Sequence, residues 1–193
     1  MALRKGGKPE VSRYRFYSEI QGELRTGDLV CWRVNNFNNF FTFILYLYHK
    51  FFKATFSHVA VILRFGDRLF AVEAVHPKVR LIPLHMLKNF YAYRLGIEER
   101  KSHIDVLLKH IGKKYSFFDL GKNMMAIRTT TDELFCSELA YDFYESIGFF
   151  EASTDEFDEV LITPDQLVTM VMERANVVAE FVKIDKGNIN HAT

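Results

Sequence analysis

A thiol hydrolase needs a cysteine, a histidine and a third polar group, and this 193-residue chain offers all three in suitable settings. His58 stands at the start of an apolar strand-like run, Phe56-Ser57-His58-Val59-Ala60-Val61-Ile62. Glu73 sits inside a second one, Leu69-Phe70-Ala71-Val72-Glu73-Ala74-Val75. Cys136 lies near the start of an amphipathic pattern, Leu134-Phe135-Cys136-Ser137-Glu138-Leu139-Ala140. A thiol attacks carbonyl carbon as its thiolate. The ordinary pKa of about 8.5 is lowered by a helix N-terminus or a neighbouring imidazolium. Helix N–H groups at Cys136 would favour the thiolate and could hold an oxyanion. His58 would take and return the proton, with Glu73 fixing its tautomer. Each residue also has a plain structural reading. Cys136 fits its helix's apolar stripe, and His58 can be a strand-end residue bonded to backbone. Glu73 is the hardest to explain this way, because a carboxylate among apolar residues needs a partner.

The elements that would position these groups follow from pattern. Val59 to Arg64 and Leu69 to Val75 read as an antiparallel hairpin around Phe65-Gly66-Asp67-Arg68. A two-residue turn at Gly66-Asp67 sets His58 opposite Val75. Glu73 is then on the face of His58, a diagonal neighbour roughly 7 Å away. A three-residue loop would turn Glu73 to the other face. Leu29 to Val34 reads as an earlier strand containing Cys31, taken as a core residue. Val79 to Pro83, Phe90 to Leu95 and Val177 to Ile184 read as later strands. Ser102 with Asp105 reads as a helix start before the stripe Ile104, Leu107, Leu108, Ile111. Thr130 with Glu133 reads as a capping box before Cys136, Leu139, Ala140, Phe143 and Ile147, with Gly148 as the stop. Thr163-Pro164-Asp165-Gln166 is the strongest start signal, with proline in the first turn. Residues 1–24 read as a lead-in with Tyr14, Phe16, Tyr17 and Ile20 as packing residues. Residues 25–184 read as one domain and 185–193 as a tail.

Composition narrows the function classes. A net charge of +1 gives no general pull toward nucleic acid. Two cysteines without a CxxC pair argue against a disulfide framework or zinc knuckle and suit a reducing compartment. No cofactor or metal is called for. His103 and His110, the nearest approach to ligand spacing, read as surface residues. The basic N-terminus lacks the apolar run of a secretory signal, which reads as a cytoplasmic or otherwise signal-free chain. The apolar stretch from Phe37 to Phe52 is interrupted by Asn38, Asn39, His49 and Lys50 and is too short to span a bilayer. It reads as a core helix or connector, or alternatively as a flap or membrane-surface contact through Phe40–Phe52.

The ordered set Gly27-Asp28-Leu29-Val30, Phe56 to Ile62, Ala71 to Ala74, and Phe135-Cys136-Ser137-Glu138-Leu139-Ala140-Tyr141 resembles the YiiX/YebB-like proteins. These form the circularly permuted, NlpC-type branch of the papain-like cysteine hydrolases. The Tyr115 region and Ile162-Thr163-Pro164-Asp165 are similar too, so the likeness covers roughly residues 22–170. It implies an α+β, permuted papain-like fold, an antiparallel sheet or half-barrel with helices packed against it. It implies Cys136 as nucleophile, His58 as base, Glu73 as orienting acid and Tyr115 lining the substrate site. The implied activity is hydrolysis of an amide or ester in a peptide, peptidoglycan stem peptide or acyl-lipid. Two alternatives are a lipid-directed acyltransferase or esterase and a catalytically silent, ligand-binding relative. Related acyltransferases place asparagine before the nucleophile, where this chain has Phe135.

Overall fold

The computed structural model describes residues 11–14, 17–33, 55–114, 135–150, 162–175 and 177–183. Within them the chain is α+β. Strands β1 (Val11–Tyr14), β2 (Leu29–Arg33), β3 (Phe56–Phe65), β4 (Arg68–Val75), β5 (Lys78–Pro83), β6 (Phe90–Arg94) and β7 (Ala179–Lys183) form one open sheet. Its order is β1-β7-β6-β2-β3-β4-β5. β1 runs parallel to β7, and the other neighbours are antiparallel. Helices α2 (Lys101–His110), α3 (Cys136–Ser146) and α4 (Pro164–Arg174) accompany it, after a single turn α1 (Tyr17–Ile20).

Alternation along the strands sorts the core into two layers. Leu29, Cys31, Val59, Val61, Leu63, Val72 and Ala74 pack with Leu139, Ala140 and Phe143 of α3 and Leu167 and Val171 of α4. Val30, Ala60, Ile62, Leu69 and Ala71 face the other way, onto Ile20, Leu24, Leu84 and Phe90. Part of the expected lead-in is therefore built into the domain. Residues 11–14 supply an edge strand, Ile20 and Leu24 are fully buried, and the Tyr17 hydroxyl accepts the Leu69 N–H at 3.0 Å.

The turn before β2 is a second anchor. Gly27 adopts φ +94°, a left-handed conformation that suits glycine. Its carbonyl accepts the hydroxyl of Tyr144, which is wholly buried in α3. Asp28 is buried and accepts the N–H groups of Arg25 at 2.7 Å and Leu95 at 3.0 Å. Burial pushes its pKa up to about 7, against the two N–H bonds. Asp28→Ala strips both donors of their acceptor and is expected to cost about 1–3 kcal/mol. The shift of the urea midpoint measures it.

Two helix expectations are corrected. α2 begins at Lys101 after Arg100, with no side-chain cap, so Ser102 and Asp105 form no capping box there. Its buried face carries His103, Leu107 and His110, whereas Leu108 and Ile111 are exposed. The two histidines are thus core residues, not surface ones. His103 packs edge-on against Phe143, with ring centres 6.2 Å apart. An imidazole has enough apolar ring to bury against an aromatic core, and the polarity pattern misjudged that face. The α4 start is as expected: the Thr163 hydroxyl accepts the Gln166 N–H, and the Gln166 side chain accepts the Thr163 N–H. The aromatic stretch 37–52, Tyr115, Thr130, Glu133, the acidic stretch 151–159 and the tail lie outside the described residues.

Candidate active site

The hairpin between β3 and β4 has the two-residue turn that the sequence predicts, with Phe65 paired to Arg68. The ladder runs from there to Val61 opposite Val72. Beyond that pair the two strands separate, and each keeps its other neighbour. β3 stays paired to β2, and β4 to β5. Continuing the register places Glu73 on the face of His58. The two side chains meet directly, His58 Nε2 to Glu73 Oε2 at 2.9 Å.

His58 also stands at an irregularity that the sequence does not announce. The β2–β3 register slips between Trp32 opposite His58 and Arg33 opposite Phe56, leaving Ser57 as the extra residue. A bulge of this kind bends its strand and re-aims the neighbouring side chain. The Ser57 hydroxyl fills the local gap by donating to the Trp32 carbonyl at 3.2 Å. The Trp32 ring lies against the His58 ring, centres 5.1 Å apart, and its indole N–H is fixed on the Lys88 carbonyl.

Cys136 arrives from the helical side of the sheet as the first residue of α3. The Glu138 carboxylate turns back to accept the Phe135 N–H at 2.8 Å, which sets the helix start at Cys136. The Ser137 hydroxyl donates to the Ile162 carbonyl and ties this end to the approach of α4. In α4's first turn, Asp165 accepts the N–H groups of Thr55 and Phe56, both at 2.8 Å, and so holds the beginning of β3. Cys136, His58 and their strand are thereby clamped from three elements.

The thiol side chain contacts His58, and its sulfur accepts backbone N–H bonds from Val59 and Ser137. The Val59 N–H points to the β4 side, because the Ile62 N–H bonds β2 at Asp28 and donors alternate along a strand. The separation of β3 from β4 leaves that donor for the sulfur. Burial pushes the Cys136 thiol up, but the His58 charge, its hydrogen bond and these two N–H groups bring it below its ordinary value. Burial likewise opposes a charge on His58. The Cys136 thiolate and Glu73 outweigh it and raise the imidazole to about 10. Both shifts run in the direction of a thiolate–imidazolium pair. Since Nε2 binds Glu73, the other ring nitrogen, Nδ1, is left for the sulfur.

Glu73 is 3% exposed, against 23% for His58. Burial would raise its carboxyl, but the His58 and Arg80 bonds and charges hold it below the usual carboxylate range. Arg80, which the sequence reading did not single out, stands directly opposite Glu73 on β5. Its Nε and Nη2 both donate to Glu73 Oε1, at 2.8 and 2.7 Å. The signal was present, since a two-residue turn at His76-Pro77 pairs Val75 with Lys78 and hence Glu73 with Arg80. Cys31 is an inner core thiol, its pKa driven up by burial. The structure thus brings Cys136, His58 and Glu73 together. Tyr115 falls outside the described residues. Among the described residues no group of three or more candidate ligands could hold a metal ion, and no helix is long and apolar enough to cross a membrane.

No family profile and no curated protein sequence matches the chain. Among solved structures, it is similar to the metalloprotein YiiX of Escherichia coli O157:H7. That match has 16% identity and a TM-score of 0.48, over 84% of this chain and 89% of that one. A likeness of that degree decides neither family nor activity.

Proposed function

We propose that the protein is a cysteine hydrolase that cleaves an amide or ester bond, on a permuted papain-like fold with histidine, acid and cysteine in that chain order. One observation carries this reading. His58 holds a buried carboxylate with one ring nitrogen and meets, with its other side, a thiol at the first residue of a helix. A core cysteine needs none of this. Three separate donors lower the thiol, and a buried Glu73 orients the ring that faces it.

In the proposed reaction the Cys136 sulfur attacks the carbonyl carbon, and the carbonyl π pair moves onto oxygen. N–H groups at the start of α3 stabilise that oxyanion. When the intermediate collapses, the bond to the leaving nitrogen or oxygen breaks and His58 supplies its proton. The product is an acyl-thioester on Cys136. Water then gives its proton to His58 and its oxygen to the acyl carbon. The thiolate leaves, and the imidazolium is restored. Glu73 stays ionised throughout, balancing the imidazolium.

The test is exposure to an activated ester such as a p-nitrophenyl acyl ester. The expected result is an acyl adduct on the Cys136 peptide that decays as product forms. Cys136→Ala is expected to keep its fold, because the change is small, and to lose both adduct and turnover. Turnover retained in Cys136→Ala, or adducts confined to lysines, would sink the assignment.

A further inference from the structure

We propose that the edge strand β5 carries an anion subsite beside the Cys136, His58 and Glu73 site, built from Arg80, Lys78 and Lys114, and that the substrate presents a carboxylate or phosphate group to it. The inference rests on the reading of Cys136, His58 and Glu73 as a thiol hydrolase site and names the class of substrate.

Three observations converge. First, Lys78 and Lys114 stand directly opposite each other across an antiparallel bridge. Directly opposed residues share a face, and like charges so placed repel. The backbone holds them there, since the Val79 N–H donates to the Lys113 carbonyl at 2.8 Å and the Gly112 N–H to the Val79 carbonyl at 3.0 Å. Both lysines are exposed, and among the described residues neither makes an ion pair. Second, Arg80 lies two residues along β5, so it shares the face of Lys78. Only one carboxylate oxygen occupies its guanidinium, and its side chain is 52% exposed. It keeps a guanidinium edge for a second oxyanion, the geometry that suits carboxylate and phosphate.

Third, this cationic strip continues the catalytic row. Trp32 opposes His58, Glu73 bonds His58, Arg80 opposes Glu73, and Lys78 follows Arg80. Across four strands the row passes from an indole, through the reacting groups, to three positive charges. A substrate lying along it meets an aromatic ring at one end and cations at the other. An anion at the cationic end relieves the Lys78–Lys114 repulsion, which an uncharged group does not.

The experiment compares two reagents that alkylate Cys136, anionic iodoacetate and neutral iodoacetamide, of nearly equal size. The rate ratio is taken within each protein, so a general change in thiol reactivity cancels. In Lys78→Gln/Lys114→Gln the ratio of iodoacetate to iodoacetamide is expected to fall about fourfold at low ionic strength. Two unit charges, each about 10 Å from an anion in water, change its rate by a factor of this size. The difference should shrink at high salt. Arg68→Gln/Lys101→Gln removes the same net charge elsewhere and should leave the ratio alone. Inorganic phosphate and succinate are then added separately as competitors. Whichever slows iodoacetate more in the parent protein identifies the preferred group. An unchanged ratio in the Lys78/Lys114 variant, or an equal fall in the control, overturns the subsite. Failure of the hydrolase reading has a different sign: Cys136 would be inert to iodoacetamide in the parent protein itself.

Discussion

His58→Ala is expected to abolish the low-pH reactivity of Cys136. In the parent protein the alkylation midpoint should lie well below about 8.5, the free-thiol value. The imidazolium, its hydrogen bond and two N–H donors outweigh burial at the sulfur. Without the imidazole the Val59 and Ser137 N–H groups remain, but burial then opposes the thiolate with no counter-charge. The midpoint should move to about 8.5 or above, and the rate at pH 7 should fall roughly thirtyfold, following the thiolate fraction of such a thiol. Cys31 serves as the internal comparison, since burial makes it inert in the folded chain. The alkaline side carries a second signature. A raised imidazole supplies its stabilising charge fully below about 6.5, and loses it as pH rises through about 10. Turnover, which needs a proton for the leaving group, should therefore decline through that pH, while alkylation of the thiolate stays high. Alkylation rates by peptide mass between pH 5 and 11, beside turnover, check both limbs. A midpoint that does not move in His58→Ala would remove His58 from the pair.

The parts of this site that were legible in the sequence are those set by short-range rules. The Gly66-Asp67 turn fixes the hairpin register, and a side-chain period of two then places Glu73 beside His58. The start of α4 was readable from its cap, and the end of α3 from Gly148, which adopts φ +71°. What escaped depends on longer-range fits. The bulge at Ser57 has no composition signal, because it is defined by two residues of β3 facing one of β2. Starting β5 at Val79 instead of Lys78 treats His76-Pro77-Lys78 as the break, and that one-residue difference hides Arg80 from Glu73. The role of Asp165 was likewise hidden. It reads as a first-turn acid of its own helix, yet it holds the N–H groups of Thr55 and Phe56, about 110 positions away. Where one element's register decides the answer the sequence suffices. Where two distant elements must dock, their packing decides it.

Glu73→Gln is expected to cut kcat by roughly 10²-fold or more, with a smaller change in KM. That is the scale of an acid–base partner lost from its working geometry. The substitution keeps the shape but replaces a buried carboxylate that serves two cations with a neutral amide. Arg80, half exposed, can turn to water. His58 has no such exit, because Trp32 covers one side of it and the bulge fixes its backbone. Loss of the carboxylate charge lowers the imidazole, and a lower imidazole returns the thiol upward. The alkylation midpoint should therefore rise in Glu73→Gln, though less than in His58→Ala, where the whole counter-charge is gone. Stability provides an independent readout. A carboxyl held below its usual range contributes stability that is present above about 4.3. The contribution disappears as pH falls through the folded-state value. The parent protein should lose that increment in acid, and Glu73→Gln should lack the corresponding slope. Urea midpoints from pH 3 to 7 measure it. Should Glu73→Gln keep full turnover while losing the acid slope, Glu73 would be a structural counter-ion for Arg80 alone. A joint loss ties the β4–β5 pairing to the reactivity of the Cys136 sulfur that His58 contacts.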